Sequence, residues 1–311
     1  MRRTALMVIG VALAAVSFAS TQPVGATDYE DPFFLNWPTF LPSSATTYTE
    51  SQSNECKNGQ IQCVDKVIRE MTKRFNSLGC DHDSTFAFTY LLTTEQYRSA
   101  VEDPDFFTDN AFVNHQDALF ADYYFDQYDD FHDGNIEEVS PAWRIAFQSA
   151  ADQKVSGMGS VFLGMNAHVN RDLPFVLEEI GLVKPDGTSR KADHDRVNDF
   201  LNATNQYLLT EAAKYLDPTL DDGDIPGISL DNSVAVQALV LWREQAWRNA
   251  ERLVAAPDEA ARAQVAQEIE QTAALEALVI RTAFTYTPLH GLLGMGKSDR
   301  NSFCSSHFET R

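Results

Sequence analysis

Basic residues are scarce in this chain of 311 residues. It contains 24 Lys and Arg against 45 Asp and Glu, which gives a formal net charge of −21 at pH 7. Nucleic-acid backbones and anionic membrane surfaces attract basic proteins and offer no counter-charge to an acidic one. We therefore expect no nucleic-acid partner.

An apolar run long enough to cross a membrane is also missing. The main apolar run, residues 5–19, follows Arg2 and Arg3 and precedes small residues at positions 24–26. A positive segment, a short apolar segment and a small-residue cleavage site are typical of a secretory signal peptide. We predict that residues 1–26 are this signal, that the mature protein is secreted to the extracellular space, and that it has no integral membrane association.

Cysteine is rare, and its spacing excludes the usual zinc motifs. The chain has Cys56, Cys63, Cys80 and Cys304, and no C-x-x-C spacing. An even number of cysteines in an exported protein indicates disulfides. Of the three possible pairings we favour Cys56–Cys63, which closes a short loop, with Cys80–Cys304, which ties the C-terminal tail to the front of the domain.

The sequence has no run with the alternating apolar pattern of a surface strand, no internal repeat and no linker between domains. Helical periodicity is frequent instead. Val64, Val67, Met71 and Phe75, for example, recur as they would on the buried face of a helix that ends near Gly79. This pattern predicts an all-α fold class.

We predict one bundle-like domain of about eight to ten helices over residues 56–311. Residues 27–55 are rich in Pro, Ser, Thr and aromatic residues without helical periodicity, and we expect an extended N-terminal arm there. Within the domain, residues 105–128 are predicted to be a helix crowded with Phe and Tyr. Residues 129–138 are predicted to be an acidic loop.

Several well-known functional motifs are absent or out of context. No G-x-S-x-G sequence occurs. Residues 291–298, GLLGMGKS, match the phosphate-loop pattern, but that loop joins a buried strand to a helix, and these residues follow a helical stretch. We expect no nucleotide cofactor. The acidic runs 126–138 and 217–224 lack the ligand spacing of a calcium loop and are predicted to be solvated.

The most informative stretch is residues 156–177, SGMGSVFLGMNAHVNRDLPFVL. Five of its residues recur at steps of three and four: Val161, Gly164, Met165, His168 and Asp172. This spacing predicts that they share the core-directed face of one helix. A histidine and a carboxylate on such a face are either a costly buried pair or part of a functional site. Asp172 has a further alternative role as the cap of a helix that begins near Pro174.

Other histidines also lie beside carboxylates. His115 precedes Asp117 by two residues, and His194 lies between two aspartates. Imidazole and carboxylate groups bind divalent metals, and a His/Asp pair one helical turn apart is a plausible corner of a metal site in a bundle. The predicted metal ligands are His168, Asp172, His115 and His194. Asn170 and Asp117 are the candidate catalytic residues, and Asn170 is expected to orient the substrate.

Simpler interpretations remain open for the same residues. His194 is a surface residue if its neighbours Asp193 and Asp195 only cap a helix. His168, Asn170 and Asp172 form a buried hydrogen-bond network if their role is to fix the register of helices.

The sequence GMNAHVNRDLPFVL, with PAWRIAF before it and DHDRVNDFLN after it, resembles a bacterial family described as a domain of unknown function, number 5995 in that series. The resemblance covers residues 80–202. It implies an all-helical domain with a cluster that contains His168, Asn170 and Asp172, and it implies no particular activity.

A second resemblance is mechanistic. The His-x-x-x-Asp spacing on a core helix, followed by proline, is similar to the zinc-dependent phospholipase C and single-strand nuclease group, which are exported all-α proteins. The second histidine of that motif is missing here, because residues 173–176 are Leu-Pro-Phe-Val. This resemblance implies a divalent metal, zinc in the first place.

Two functional hypotheses follow. The first is a secreted metal-dependent hydrolase of small-molecule or lipid-derived substrates, such as phosphoesters, in which the metal activates a water molecule. The second is a non-catalytic helical protein, structural or ligand-binding, whose His/Asn/Asp cluster is a buried network. A binder of an apolar ligand in the aromatic-rich residues 106–131 is a further possibility.

Overall fold

The computed structural model describes residues 34–44, 48, 56, 58–222, 224–225, 228–229 and 232–311. The predicted signal peptide, residues 1–26, lies outside the described residues, as does most of the predicted arm, residues 27–55. The described part of the arm contains a turn of 3-10 helix at Trp37–Phe40. Just before this turn, the Asn36 side chain donates to the main-chain oxygen of Asp195 at 2.8 Å.

The described residues form an all-α architecture, as predicted. The α-helices are α1 (Ile61–Leu78), α2 (Ser84–Ala100), α3 (Asn110–Asp133), α4 (Pro141–Ala151), α5 (Gly157–Met165), α6 (Leu173–Ile180), α7 (Lys191–Tyr215), α8 (Thr219–Asp222), α9 (Asn232–Val254), α10 (Glu259–Ala283), α11 (Pro288–Leu292) and α12 (Lys297–His307). A π-helix, Asn166–Asp172, connects α5 to α6. Two short strands, Asp224–Ile225 and Ile228–Ser229, pair in antiparallel register. Ten of the α-helices have eight or more residues, which agrees with the predicted number.

Helix α1 shows how closely the apolar pattern dictates local structure. Val64, Val67, Met71 and Phe75 are buried on one face, as their spacing predicts. The helix ends where Gly79 adopts a φ of 55°, a left-handed value that glycine tolerates better than other residues. The predicted helix and its predicted end are both confirmed.

Helix α3 differs from the prediction at both ends. It begins at Asn110, because the Asp109 side chain accepts a hydrogen bond from the Phe112 amide at 3.0 Å and caps the first turn. It continues through residues 129–133, which were predicted to be loop, and ends at Gly134. Charged residues are compatible with an exposed helical turn, so their density alone did not indicate a loop.

The helices enclose two adjoining hydrophobic cores. The first is formed mainly by α1, α2, α4 and α5, and it contains Phe75, Phe88 and Trp143. The second lies where α6 packs on α9, and it contains Leu177 and Trp247. The π-helix contacts α5, α6, α9 and α10 and therefore lies between the two cores.

Both predicted disulfides are present. Cys56 pairs with Cys63 and Cys80 pairs with Cys304, each with a Cα–Cα distance of 5.8 Å. The second bond attaches α12 beside the end of α1. Arg300 reinforces this attachment, since its buried guanidinium donates to the main-chain oxygen of Asp81 at 3.1 Å.

Two further features bear on the sequence predictions. Residues 291–298, which match the phosphate-loop pattern, run from the end of α11 into α12 and follow a helix, not a strand. Among the helices that the structure describes, none combines the length and the apolar character that a membrane crossing requires.

We predict that the two disulfides contribute unequally to stability. Removing Cys80–Cys304 with paired serine substitutions frees a loop of 224 residues, and the chain-entropy model gives a loss of roughly 5 kcal/mol in the free energy of unfolding. Removing Cys56–Cys63 frees a loop of 7 residues and should cost roughly 2 kcal/mol. Urea unfolding of the two double variants measures both values. A larger loss from the shorter loop would contradict this ranking.

Candidate functional site

The centre of the site is the π-helix, where the sequence predicted a continuous α-helix. The amide of Leu173 donates to the carbonyl of His168, five residues earlier, as π-helical geometry requires. Pro174 has no amide hydrogen and cannot donate to the carbonyl of Asn170, so a regular α-helix would leave that carbonyl without its usual partner. The π-helical turn, which is wider than an α-helical turn, therefore occurs where one backbone hydrogen-bond donor is missing. Single π-turns are frequent at functional sites.

Asp172 lies completely buried and accepts hydrogen bonds from three side chains. Trp143 Nε1 and His168 Nδ1 donate to Oδ2 at 2.8 and 2.9 Å, and Arg171 Nη1 donates to Oδ1 at 2.9 Å. A buried carboxylate is tolerated when donors satisfy both of its oxygens. The alternative role as a helix cap is not observed, since the Asp172 side chain makes no capping bond.

His168 is held in one orientation by these contacts. Its Nδ1 carries the proton that Asp172 accepts, so the neutral ring presents the lone pair of Nε2 as a hydrogen-bond acceptor. Nε2 is buried and has no hydrogen-bond partner among the described residues. The ring stacks on Phe120 with a centroid distance of 3.4 Å and an angle of 4° between planes. Burial lowers the pKa of His168, which favours this neutral form, while the hydrogen bond to Asp172 opposes the shift.

His168 forms part of the wall of a partly open cavity of about 160 Å³. Residues of α2, α3, α5, α7, α9 and the π-helix line it, and most of them are apolar or aromatic. Val161, Met165 and His168 lie in this wall together, which agrees with the predicted common face. Gly164 of the same face lies against Phe86, where an added Cβ would come within 2.3 Å of the ring. A side chain at that position would displace the ring that packs beside the cavity.

Among the described residues that line the cavity, Asp117 is the only one with a carboxyl group. Its Oδ2 is enclosed and has no hydrogen-bond partner among the described residues. Burial raises the pKa of the Asp117 carboxyl to about 7. The phenolic oxygen of Tyr90, which also lines the cavity, is another enclosed atom without a described partner. The cavity therefore combines apolar walls with a few unsatisfied polar atoms.

The structure does not bring the four predicted metal ligands together. His168 and Asp172 are in contact, but His194 lies beside Trp247 and its Nε2 donates to the main-chain oxygen of Arg243 at 3.0 Å. His194 is 1 % exposed, so the alternative surface position is wrong as well. His115 is buried in α3 and does not line the cavity. Since it precedes Asp117 by two residues, it lies nearly on the opposite side of the helix.

Asn170, predicted to be catalytic, also points away from the cavity. Its amide donates to Asn166 Oδ1 at 3.0 Å, within the π-helix, and to Glu276 Oε2 at 2.7 Å, which attaches the π-helix to α10. Of the two candidate catalytic residues, only Asp117 lines the cavity.

The hydrogen bonds that Asp172 accepts fit a role in orienting His168 better than direct metal binding. Both of its oxygens are taken by protein donors, whereas His168 Nε2 and Asp117 have capacity for a ligand. In the part of the chain that the structure describes, no three His, Cys, Asp or Glu side chains are grouped as a metal site. The metal centre therefore stays a prediction.

Sequence reasoning missed several residues that shape the site. Trp143 and Arg243 were not among the predicted site residues, and Phe120 was included only as part of the aromatic-rich residues 106–131. A periodic signal was available in α3, where Val113, Gln116, Asp117 and Phe120 recur at helical spacing and all line the cavity. Arg243 gave no such signal, because its role depends on packing between helices.

Comparison with known proteins agrees with the resemblance noted from sequence. A family model described as a family of unknown function, DUF5995, matches residues 64–283. The chain belongs to this family. Every residue that lines the cavity falls within the matched range. No curated protein and no solved structure matches the chain. The resemblance to the zinc-dependent phospholipase C group stays a prediction.

We predict that Asp172→Asn strongly destabilises this DUF5995 protein. The amide supplies one acceptor oxygen in place of two and adds a donor facing other donors, so buried polar groups lose partners. The expected loss in the free energy of unfolding is roughly 2–4 kcal/mol. Urea unfolding measures it, with Asp152→Asn as a control, because Asp152 is exposed and accepts only from Gln148. Equal losses in the two variants would contradict the proposed role of the network.

The Asp117 carboxyl should make stability depend on pH. Because burial raises its pKa to about 7, folding favours the protonated form, and its contribution to stability is lost as the pH rises through that value. Asp117→Asn removes this dependence, so the variant should gain roughly 1–3 kcal/mol on wild type between pH 5 and pH 8. Unfolding at both pH values, with Asp152→Asn as the control, measures the difference. A gap that does not change with pH would show that Asp117 titrates normally.

Proposed function

We propose that this protein binds a small, mostly apolar molecule in the cavity and orients it by a hydrogen bond to His168. The observation that carries the proposal is the buried Nε2 of His168, which has no described partner although Asp172 holds the ring in place. A buried acceptor without a partner costs free energy, and such groups in native proteins call for an explanation. A ligand hydroxyl or N–H group that donates to Nε2 would satisfy it.

The size and the walls of the cavity support the same class of ligand. A dry apolar cavity of about 150 Å³ accommodates a single aromatic ring, and this cavity has a volume of about 160 Å³. Phe86, Tyr90, Phe120 and Phe200 contribute aromatic surface to its wall. Apolar walls with few polar groups are typical of small-molecule sites, where the polar groups fix the orientation of the ligand.

The proposal refines the ligand-binding alternative suggested by the sequence. The non-catalytic hypothesis expected a buried network of His168, Asn170 and Asp172. His168 and Asp172 share buried hydrogen bonds with Trp143 and Arg171, whereas Asn170 bonds to Asn166 and Glu276. That network satisfies Asp172 and leaves His168 Nε2 available. We further propose that the protein works outside the cell; the even number of cysteines, all paired in disulfides, is compatible with export.

The metal-dependent hydrolase is the second candidate function. The observation that favours it is again the His168–Asp172 pair, because a carboxylate bound to one imidazole nitrogen commonly orients the other nitrogen toward a metal. In this case His168 Nε2 would be a ligand, Asp172 would orient it, and Asp117 would be the nearest candidate for a further ligand in the cavity wall. A divalent metal, zinc in the first place, would supply an activated water for hydrolysis of a small or lipid-derived ester.

Matched ligand probes test the first proposal. Para-cresol and toluene differ by one hydroxyl group, so a donor bond to His168 should make cresol bind about three- to tenfold more tightly. His168→Phe keeps an aromatic ring against Phe120 but removes the acceptor, and it should abolish the preference. Ligand-observed NMR measures both affinities, and His307→Phe is the control, since His307 is exposed on α12. Equal binding of both probes to wild type would contradict the proposal.

Metal analysis of the purified protein separates the two candidates. The ligand-binding proposal expects the cresol preference to survive treatment with a chelator. The hydrolase candidate expects stoichiometric metal in wild type, and loss of that metal in His168→Phe but not in His307→Phe. Metal-free wild-type protein that gains no stability from added zinc would contradict the second candidate.

A further inference from the structure

Arg243 is a buried cation in the lining of the cavity. It belongs to α9 and is 3 % exposed. Its Nε donates to Asn198 Oδ1 at 2.7 Å, and its Nη2 donates to the main-chain oxygen of His194 at 2.7 Å. Its remaining nitrogen, Nη1, has no hydrogen-bond partner among the described residues. Each acceptor is uncharged, so these bonds position the guanidinium without neutralising it.

The acidic side chains near Arg243 form ion pairs with other basic residues. Lys191 Nζ binds Asp195 at 2.7 Å and Glu244 at 3.0 Å. Arg248 Nε binds Glu244 as well, at 2.7 Å. No ion pair joins Arg243 to a carboxylate in the described part of the chain, in contrast to these neighbours.

Asp117 does not form an ion pair with Arg243 either. Among the described residues of the lining it is the only one with a carboxyl group, and it lies on α3. Burial raises its pKa to about 7, a shift that a nearby cation would oppose. Burial likewise lowers the pKa of Arg243 to about 10, although the charge of Asp195 opposes this shift, so its guanidinium remains charged at neutral pH.

A buried cation that no carboxylate contacts directly is costly in a folded protein, even where a charge such as that of Asp195 acts on it from a distance. The cost is removed when an anion enters the site and accepts hydrogen bonds from the guanidinium, which suits carboxylates especially well. Because Arg243 lies in the wall of a mostly apolar cavity, we expect that anion to be part of a largely apolar molecule.

We propose that the ligand of the cavity is a small amphipathic carboxylate whose carboxylate pairs with Arg243. This inference rests on the proposed ligand-binding function and specifies its chemical class. The apolar body of the ligand packs among the aromatic side chains, and a hydroxyl or N–H group elsewhere on the ligand donates to His168 Nε2. The two polar contacts come from different elements, α9 and the π-helix, so together they select for the spacing of groups on the ligand.

A purely structural role is the competing explanation. Through Asn198 and His194, Arg243 joins α9 to α7, and this bridge would exist without any ligand. Such a role makes no distinction between an anionic ligand and a neutral one of the same shape. The charge of the ligand is therefore the variable to test.

The experiment uses two matched pairs of probes with full-length mature protein at neutral pH: phenylacetate with phenylacetamide, and octanoate with octanamide. Within each pair the shape is nearly the same and only the acid is charged. The expected result is that at least one acid binds wild type about tenfold or more tightly than its amide, by calorimetry or ligand-observed NMR. Arg243→Met should remove this preference, and Arg243→Lys should keep part of it. Arg252→Met, on the same helix but outside the cavity lining, is the matched control and should bind as wild type does.

The outcomes separate the two proposals. Equal affinity of acid and amide for wild type in both pairs overturns the carboxylate inference, and the ligand-binding function then stands on the cresol preference alone. An acid preference that persists in Arg243→Met also overturns the inference, because the charge would then be recognised elsewhere. If no probe, cresol included, binds wild type, the proposed function fails and the inference fails with it. Should Arg243→Met not fold, the wild-type comparison and Arg243→Lys still decide.

Discussion

The buried carboxylate of Asp172 is the constraint on which the arrangement around the π-helix depends. A carboxylate without solvent must find donors inside the protein, and here they come from α4 and from the π-helix itself. Satisfying Asp172 therefore fixes the distance between these two elements, the position of Trp143 and the orientation of His168. Arg171 extends the same network to α10, since its Nε donates to Glu270 at 2.8 Å. One side chain thus links local helix geometry, core packing and the polar group that faces the cavity.

The π-helix presents different chemistry on its two sides. Toward α10, Asn166 and Asn170 exchange hydrogen bonds with each other, with the carbonyl of Ala273 and with Glu276. Toward the cavity, it places His168 among aromatic rings. The polar side anchors the segment, so the histidine has little freedom to turn. A residue held in this way loses little further entropy when a ligand binds, which is the advantage of a site arranged in advance.

Under the proposed function, the cavity would select its ligand by the placement of polar groups in a mostly apolar wall. Most of its wall is apolar, so a ligand that enters loses hydration over most of its surface and must recover its polar bonds at a few places. His168 Nε2 accepts, Arg243 donates and carries charge, and Asp117 changes its state near neutral pH. These three groups lie on three different elements, the π-helix, α9 and α3, and their positions relative to one another are set by how those helices pack.

The sequence by itself determined what depends on local periodicity and composition: the all-α class, the buried face of α1, the contact between His168 and Asp172 one turn apart, and the family. Of the three possible pairings of the four cysteines, the one favoured from the sequence is the one observed. Only the tertiary structure decided that Asp172 is satisfied by Trp143 and that His194 belongs to another cluster. It also decided that Arg243 lines the cavity without a direct ion pair to any described carboxylate. The reason is physical: helical periodicity tells which residues share a face, whereas contacts between helices depend on packing angles that no single helix encodes.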